Sequence, residues 1–81
     1  MYEVKLTKKS SKQLNALDEK IKIRYIRFFK ELKLQPFLGR LSEAEYHAHV
    51  NYRWVAVWTV DRTKRLVTVT YVGSRESAPY K

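Results

Sequence analysis

The 81-residue chain carries seventeen Lys and Arg residues against eight Asp and Glu, a formal net charge of +9. Its hydrophobic content of 44% and aromatic content of 14% exclude an intrinsically disordered chain. Without cysteine it can form neither disulfides nor thiolate metal sites, and no apolar run approaches the roughly 18 residues of a membrane span. We therefore expect one small domain over residues 1–81, soluble and cytoplasmic, with no membrane partner.

The positive charge is concentrated in the first half of the chain. Residues 1–40 contain eleven basic and four acidic side chains, whereas residues 41–81 contain six and four. Such an excess on a small surface predicts affinity for a polyanion, most often nucleic acid. The alternative is a solvated basic helix face that only keeps the protein soluble.

The first predicted elements are a strand and two helices. Apolar and charged residues alternate over residues 2–6, which predicts a half-buried strand, and Thr7 can cap a following helix. Asp18 is a good N-cap, so we expect a short helix to about Leu17 and a longer one over residues 19–34. One unbroken helix is the alternative, because neither Gly nor Pro separates them. Helical spacing of three and four residues defines an apolar stripe for packing on a sheet: Leu14, Leu17, Ile21, Tyr25, Phe28 and Leu32.

A second apolar set, Ile23, Ile26 and Phe29, falls outside this stripe and predicts burial against another helix or a partner protein. Pro36 and Gly39 end the helical region and predict a loop that reaches residue 45.

The last part of the chain predicts three strands, at residues 45–50, 52–60 and 65–72, rich in Val, Thr, Tyr and Trp. Asn51 and residues 61–64 mark the turns between them. The predicted fold is α+β, in the order βααβββ, with helices on one face of a mostly antiparallel four-stranded sheet.

The candidate site begins with His47 and His49, which alternate on a strand and therefore share a face. Arg53 joins them if residues 50–52 form a three-residue loop. It lies on the opposite face if Asn51 and Tyr52 form a two-residue turn.

Arg75 and Tyr80 follow the last strand, beyond Gly73, where the chain can return over the sheet. Together with His47, His49 and Arg53 they could cleave RNA through its own 2′-hydroxyl group. Histidine can act as base or acid near neutral pH, arginine can hold phosphate oxygens, and tyrosine can stack on a base or donate a proton.

Other interpretations of these residues remain open. A histidine can be structural, and a His-x-His pair on a strand has the spacing of two zinc ligands, although no carboxylate is indicated as a third. Trp54 and Trp58 are expected in the core, and Tyr71 in packing.

The ordered motifs resemble the RelE/ParE superfamily of bacterial toxin–antitoxin toxins over nearly the whole chain. The matching motifs are Tyr46-His47-Ala48-His49, Tyr52-Arg53, Val60-Asp61, Val72-Gly73-Ser74-Arg75 and Tyr80. The chain departs from the pattern in three respects: His replaces Lys, the loop before Tyr-Arg is shorter, and one residue is missing before the last tyrosine.

The resemblance implies a fold akin to small microbial RNases and, for the RelE-like branch, metal-independent cleavage of mRNA in the ribosomal A site. It implies an antitoxin, mRNA and ribosomal RNA as partners, and no cofactor. The expected catalytic residues are His47, His49, Arg53, Arg75 and Tyr80; the expected RNA contacts are Arg40, Arg62 and Lys64. The alternative is a ParE-like poison of DNA gyrase, which shares the fold and lacks a nuclease site.

Overall fold

The computed structural model describes residues 1–79, which fold into two helices and one five-stranded sheet. In chain order the elements are β1 (Glu3–Leu6), α1 (Lys8–Asn15), α2 (Glu19–Leu34), β2 (Arg40–Ser42), β3 (Glu45–Asn51), β4 (Trp54–Asp61), β5 (Leu66–Ser74) and a 3₁₀ turn (Arg75–Ser77). The strand order is β1-β5-β4-β3-β2, with β1 parallel to β5 and the other neighbouring pairs antiparallel. The predicted α+β class and the mostly antiparallel sheet are confirmed.

The predicted four-stranded sheet is wrong by one strand, β2. Its residues were expected in a loop, but they pair with β3, placing Arg40 opposite His47 and Ser42 opposite Glu45. All three β2 side chains are exposed, so this short strand carries no alternating pattern that the sequence could reveal.

The predicted division into two helices is confirmed. Thr7 caps α1 as predicted: its side-chain oxygen accepts a hydrogen bond from the N–H of Ser10 at 3.0 Å. Asp18 occupies the N-cap position of α2, although its side chain makes no capping hydrogen bond. The buried Ser10 hydroxyl donates to the carbonyl of Val69 at 2.7 Å and so fixes α1 on β5.

The helices pack on one face of the sheet and form the main core there. Tyr25, Phe28 and Leu32 of the predicted stripe are buried, as is Trp58 of β4, whose Nε1 donates to the carbonyl of Pro36 at 2.8 Å. Of the second apolar set, Phe29 is buried in the core, whereas Ile23 and Ile26 are about half exposed.

The opposite face of the sheet carries a second, smaller apolar cluster. Val55 and Val57 of β4 lie beside Tyr71 of β5, and Ala78 packs against them after the 3₁₀ turn. His47 and His49 are paired with Val57 and Val55 across β3 and β4, which places both histidines on this face. No helix within residues 1–79 is long and apolar enough to cross a membrane.

Candidate functional site

A cleft of about 490 Å³ lies beside β3 at the edge of the sheet. We call it the histidine cleft, and it is lined by Leu38, Gly39, Arg40, His47, Ala48, His49 and Arg75. Arg40 comes from β2, directly opposite His47, and Arg75 begins the turn that follows β5. Three of the expected catalytic side chains and one expected RNA contact therefore surround one cleft.

The proton on His49 has a defined position. Its Nδ1 lies 2.7 Å from the carbonyl oxygen of Tyr52. Because a carbonyl oxygen can only accept, Nδ1 carries the hydrogen and donates it. The other nitrogen, Nε2, is thus the one that can exchange a proton with a bound substrate.

His47 is held in its neutral form. Burial lowers the pKa of its imidazole below the usual 6.5, and the positive charges of Arg40 and His49 lower this pKa further. A neutral imidazole at pH 7 can accept a proton, which is what a general base requires.

Gly39 allows the chain to pass close to His47 and the core. A Cβ atom at this position would lie 2.7 Å from the carbonyl oxygen of His47 and 2.6 Å from Cη2 of Trp58. The absence of a side chain therefore lets the segment before β2 close one wall of the histidine cleft.

Arg75 is positioned by contacts at the end of β5. Its backbone N–H donates to the carbonyl of Arg53 at 2.6 Å, which joins the 3₁₀ turn to the β3–β4 turn. Just before it, the Tyr71 hydroxyl donates to the carbonyl of Ser74 at 2.8 Å. A Cβ at Gly73 would lie 2.7 Å from that hydroxyl, so glycine leaves room for this contact.

Neither register considered for Arg53 is correct. The ladder between β3 and β4 is irregular between His49 and Asn51, and Asn51 then pairs with Trp54. The two turn residues are therefore Tyr52 and Arg53, and Tyr52 takes a left-handed φ of 52° to close this tight connection. The Arg53 guanidinium lies 5.1 Å from the centre of the Trp54 ring and does not line the histidine cleft.

Two expected RNA contacts lie elsewhere. Arg62 and Lys64 are in the β4–β5 turn, roughly 20 Å along β4 from Val55, which is beside His49. The Arg62 guanidinium packs on the Phe37 ring at 4.6 Å, and the backbone N–H of Lys64 donates to the Asp61 carboxylate at 3.0 Å.

The remaining expectations concern Tyr80 and a metal. Tyr80 lies outside the described residues. Among residues 1–79, no three His, Asp or Glu side chains form a group that could hold a metal ion. The Tyr52 carbonyl could not be identified from the sequence as the partner of His49, because every residue has a backbone carbonyl and nothing in the sequence distinguishes this one.

No protein-family model and no curated protein matches the sequence. Solved structures do match. The isolated Escherichia coli RelE toxin superposes with a TM-score of 0.81 at 18% identity, over 98% of this chain and 89% of that one. The E. coli RelBE toxin–antitoxin complex superposes with a TM-score of 0.83 at 18% identity, over 91% of this chain and 96% of that one. The archaeal RelE–RelB complex from Pyrococcus horikoshii OT3 superposes with a TM-score of 0.77 at 18% identity, over 95% of this chain and 98% of that one. The chain therefore has the RelE fold, as the motifs predicted.

Proposed function

We propose that this protein is the toxin of a toxin–antitoxin system and acts as a metal-independent, ribosome-dependent mRNA endoribonuclease. The observation that carries the proposal is the histidine cleft, in which two histidines and two arginines meet on a chain with the RelE fold. The positive net charge suits contact with mRNA and ribosomal RNA.

The reaction requires a base, an acid and cations around one phosphate. The base removes the proton of the 2′-hydroxyl, and the 2′ oxygen attacks the adjacent phosphorus. The bond to the 5′ oxygen breaks, and the acid protonates that leaving oxygen, so a 2′,3′-cyclic phosphate and a 5′-hydroxyl end are formed. The cations stabilise the negative charge on the phosphorane oxygens of the transition state.

We assign His47 as the base, because its lowered pKa keeps its imidazole neutral. His49 acts as the acid through Nε2, since its Nδ1–H is engaged by the Tyr52 carbonyl. Arg75 and Arg40 hold the phosphate. Arg53 and Tyr80 stay predictions from the resemblance; Arg53 would have to leave the Trp54 ring to reach the phosphate.

The first test is 5′-end mapping of cellular mRNA shortly after induction of this protein without its antitoxin. We expect new ends at fixed positions within codons, reduced about 10²-fold or more in Arg75→Ala, since removal of one transition-state donor has effects of this size. Arg65→Ala is the matched control, because it removes an equal charge from the exposed β4–β5 turn. Full cleavage by Arg75→Ala would refute the mechanism, and growth arrest with intact mRNA would point to gyrase poisoning, which the solved structures above do not support.

The second test separates the base from the acid. In ribosome-bound mRNA, sulfur replaces the 5′ oxygen at the cleaved bond, and a thiolate leaves without needing a proton. We expect His49→Ala to cleave this mRNA at nearly the wild-type rate, whereas His47→Ala stays slow. The opposite pattern would exchange the two roles.

The antitoxin is the second part of the proposal. The E. coli RelBE complex and the P. horikoshii RelE–RelB complex pair a toxin with its antitoxin, and here Ile23 and Ile26 leave an apolar strip exposed on α2. We propose that a cognate antitoxin, encoded beside this protein, covers the cleft or its flanks. Co-expression of that neighbour should restore growth; continued arrest despite a stable neighbour protein would argue against it.

A further inference from the structure

A second cleft, of about 340 Å³, adjoins the histidine cleft. We call it the α2 arginine cleft, and it is lined by Arg24, Arg27, Phe28, Glu31, Leu38, His49 and Val50. Leu38 and His49 line both clefts. His49 lies on the sheet face opposite α2, and residues 48–51 of β3 extend beyond the part that pairs with β2. A ligand group held at His49 can therefore extend around this edge of β3 into the second cleft.

The two arginines of this cleft present their charge to solvent. Arg24 and Arg27 are three residues apart on α2, so they lie on neighbouring positions of one helix face. Both are exposed, and neither makes an ion pair among residues 1–79; the ion pair on α2 joins Lys22 to Glu19 at 3.5 Å. Their guanidinium groups can therefore receive phosphate oxygens without first losing a partner.

Glu31 is the opposing charge in the cleft. It lies four residues after Arg27 on the same helix, and its carboxylate lowers the positive potential around the two arginines. An RNA phosphate bound here would be repelled by Glu31 while it is attracted by the arginines. Substitutions in the cleft can therefore either weaken or strengthen its affinity for phosphate.

We propose that the α2 arginine cleft binds the phosphate backbone of the RNA strand next to the phosphate that is cleaved, with Arg24 and Arg27 as the contacts. This inference rests on the proposed nuclease function, because it takes His49 to lie at the cleaved phosphate. An RNA strand whose cleaved phosphate lies at His49 brings its neighbouring phosphates beside α2. Arginine neutralises these phosphates with release of counterions. Affinity for flanking nucleotides would thus come from the helical layer, whereas the sheet supplies the reacting groups.

The test measures binding without cleavage. Fluorescence anisotropy is recorded with a labelled 2′-O-methyl dodecanucleotide, which lacks the attacking hydroxyl, and with a 2′-O-methyl trinucleotide too short to fill both clefts. We expect Arg24→Ala/Arg27→Ala to weaken binding of the dodecanucleotide about tenfold, equivalent to roughly 1.4 kcal/mol, and to leave the trinucleotide within about twofold. The slope of log affinity against log salt should fall by about 1.4, or ~0.7 for each lost phosphate contact on a single strand.

The matched control is Lys9→Ala/Lys12→Ala. These lysines have the same spacing, are exposed on α1, and line neither cleft. An equal loss of affinity in both double variants would mean that only net charge matters, and would overturn the proposal. Glu31→Gln should tighten binding of the dodecanucleotide; weaker or unchanged binding by this variant would also overturn it.

The two proposals can fail separately. If wild-type protein binds the dodecanucleotide through Arg24 and Arg27 but mRNA stays intact in cells, the nuclease function fails and only RNA binding by the α2 arginine cleft stands. If mRNA is cleaved at the mapped positions and the arginine variant binds the dodecanucleotide like wild type, only the cleft proposal fails.

Discussion

Replacing Gly39 by alanine should damage the core and the histidine cleft together. The new Cβ would lie 2.6 Å from Cη2 of Trp58, whereas carbon atoms in contact are about 3.5–4.0 Å apart. On the other side it would lie 2.7 Å from the carbonyl oxygen of His47, a backbone atom of β3. The new methyl group therefore needs about 1 Å of movement from at least one rigid neighbour.

Trp58 is poorly placed to provide that movement. Its side chain is fully buried, its Nε1 is bonded to the Pro36 carbonyl, and its ring contacts Phe28 and stacks on Tyr46. We therefore expect a cost at the upper end of that seen for overpacked cores, about 3 kcal/mol. For a domain of this size each kcal/mol lowers Tm by about 4–8 °C, so Tm should fall by about 12–24 °C.

Thermal unfolding followed by circular dichroism measures this effect. Ser42→Ala is the control, because it changes an exposed side chain of β2 and leaves the core untouched. A Gly39→Ala protein that melts within about 3 °C of the control, less than 1 kcal/mol at this size, would refute the reasoning. It would show that the segment before β2 can move away from Trp58 without cost.

Three further predictions concern stability. The folded-state pKa of His47 lies below 6.5, so below pH 6.5 the unfolded chain binds the proton more readily and stability falls as the pH is lowered. Arg40→Ala should make the decrease in Tm from neutral to acidic pH smaller. An unchanged decrease in Tm would contradict the Coulombic contribution of Arg40 to this pKa. Ser10→Ala removes a buried hydrogen bond to Val69 and should cost about 1 kcal/mol in urea unfolding, with no effect expected if that bond is dispensable. Arg65→Gly should stabilise the protein by up to about 1 kcal/mol, because Arg65 has a left-handed φ of 53°; a lower urea midpoint would count against this reason.

The helices and long strands could be predicted because their signals are local. Each signal depends on residues only a few positions apart in the chain: the apolar spacing on α2, the Thr7 cap and the alternation in β1. β2 could not be predicted, since its three exposed residues show no periodic pattern and its pairing with β3 is a tertiary contact.

The candidate site was predictable only in part. His47 and His49 share a face because strand side chains alternate, so their spacing of two residues was sufficient to predict this. The position of Arg53 depended on the register of one tight turn, where a shift of a single residue changes the face. Of the residues expected to contact RNA, Arg40 lines the histidine cleft, whereas Arg62 packs on Phe37.

The α+β class, the order of every element except β2 and the basic charge follow from the amino-acid sequence, because composition and periodicity depend on neighbouring residues. Which residues far apart in the chain come together depends on the tertiary structure. Strand pairing and packing place Arg40 opposite His47, the Tyr52 carbonyl on His49, and Arg24 and Arg27 in a cleft that His49 also lines. These contacts arise from strand pairing and from the packing of α2 on the sheet, which bring together residues far apart in the chain and leave no mark on local sequence.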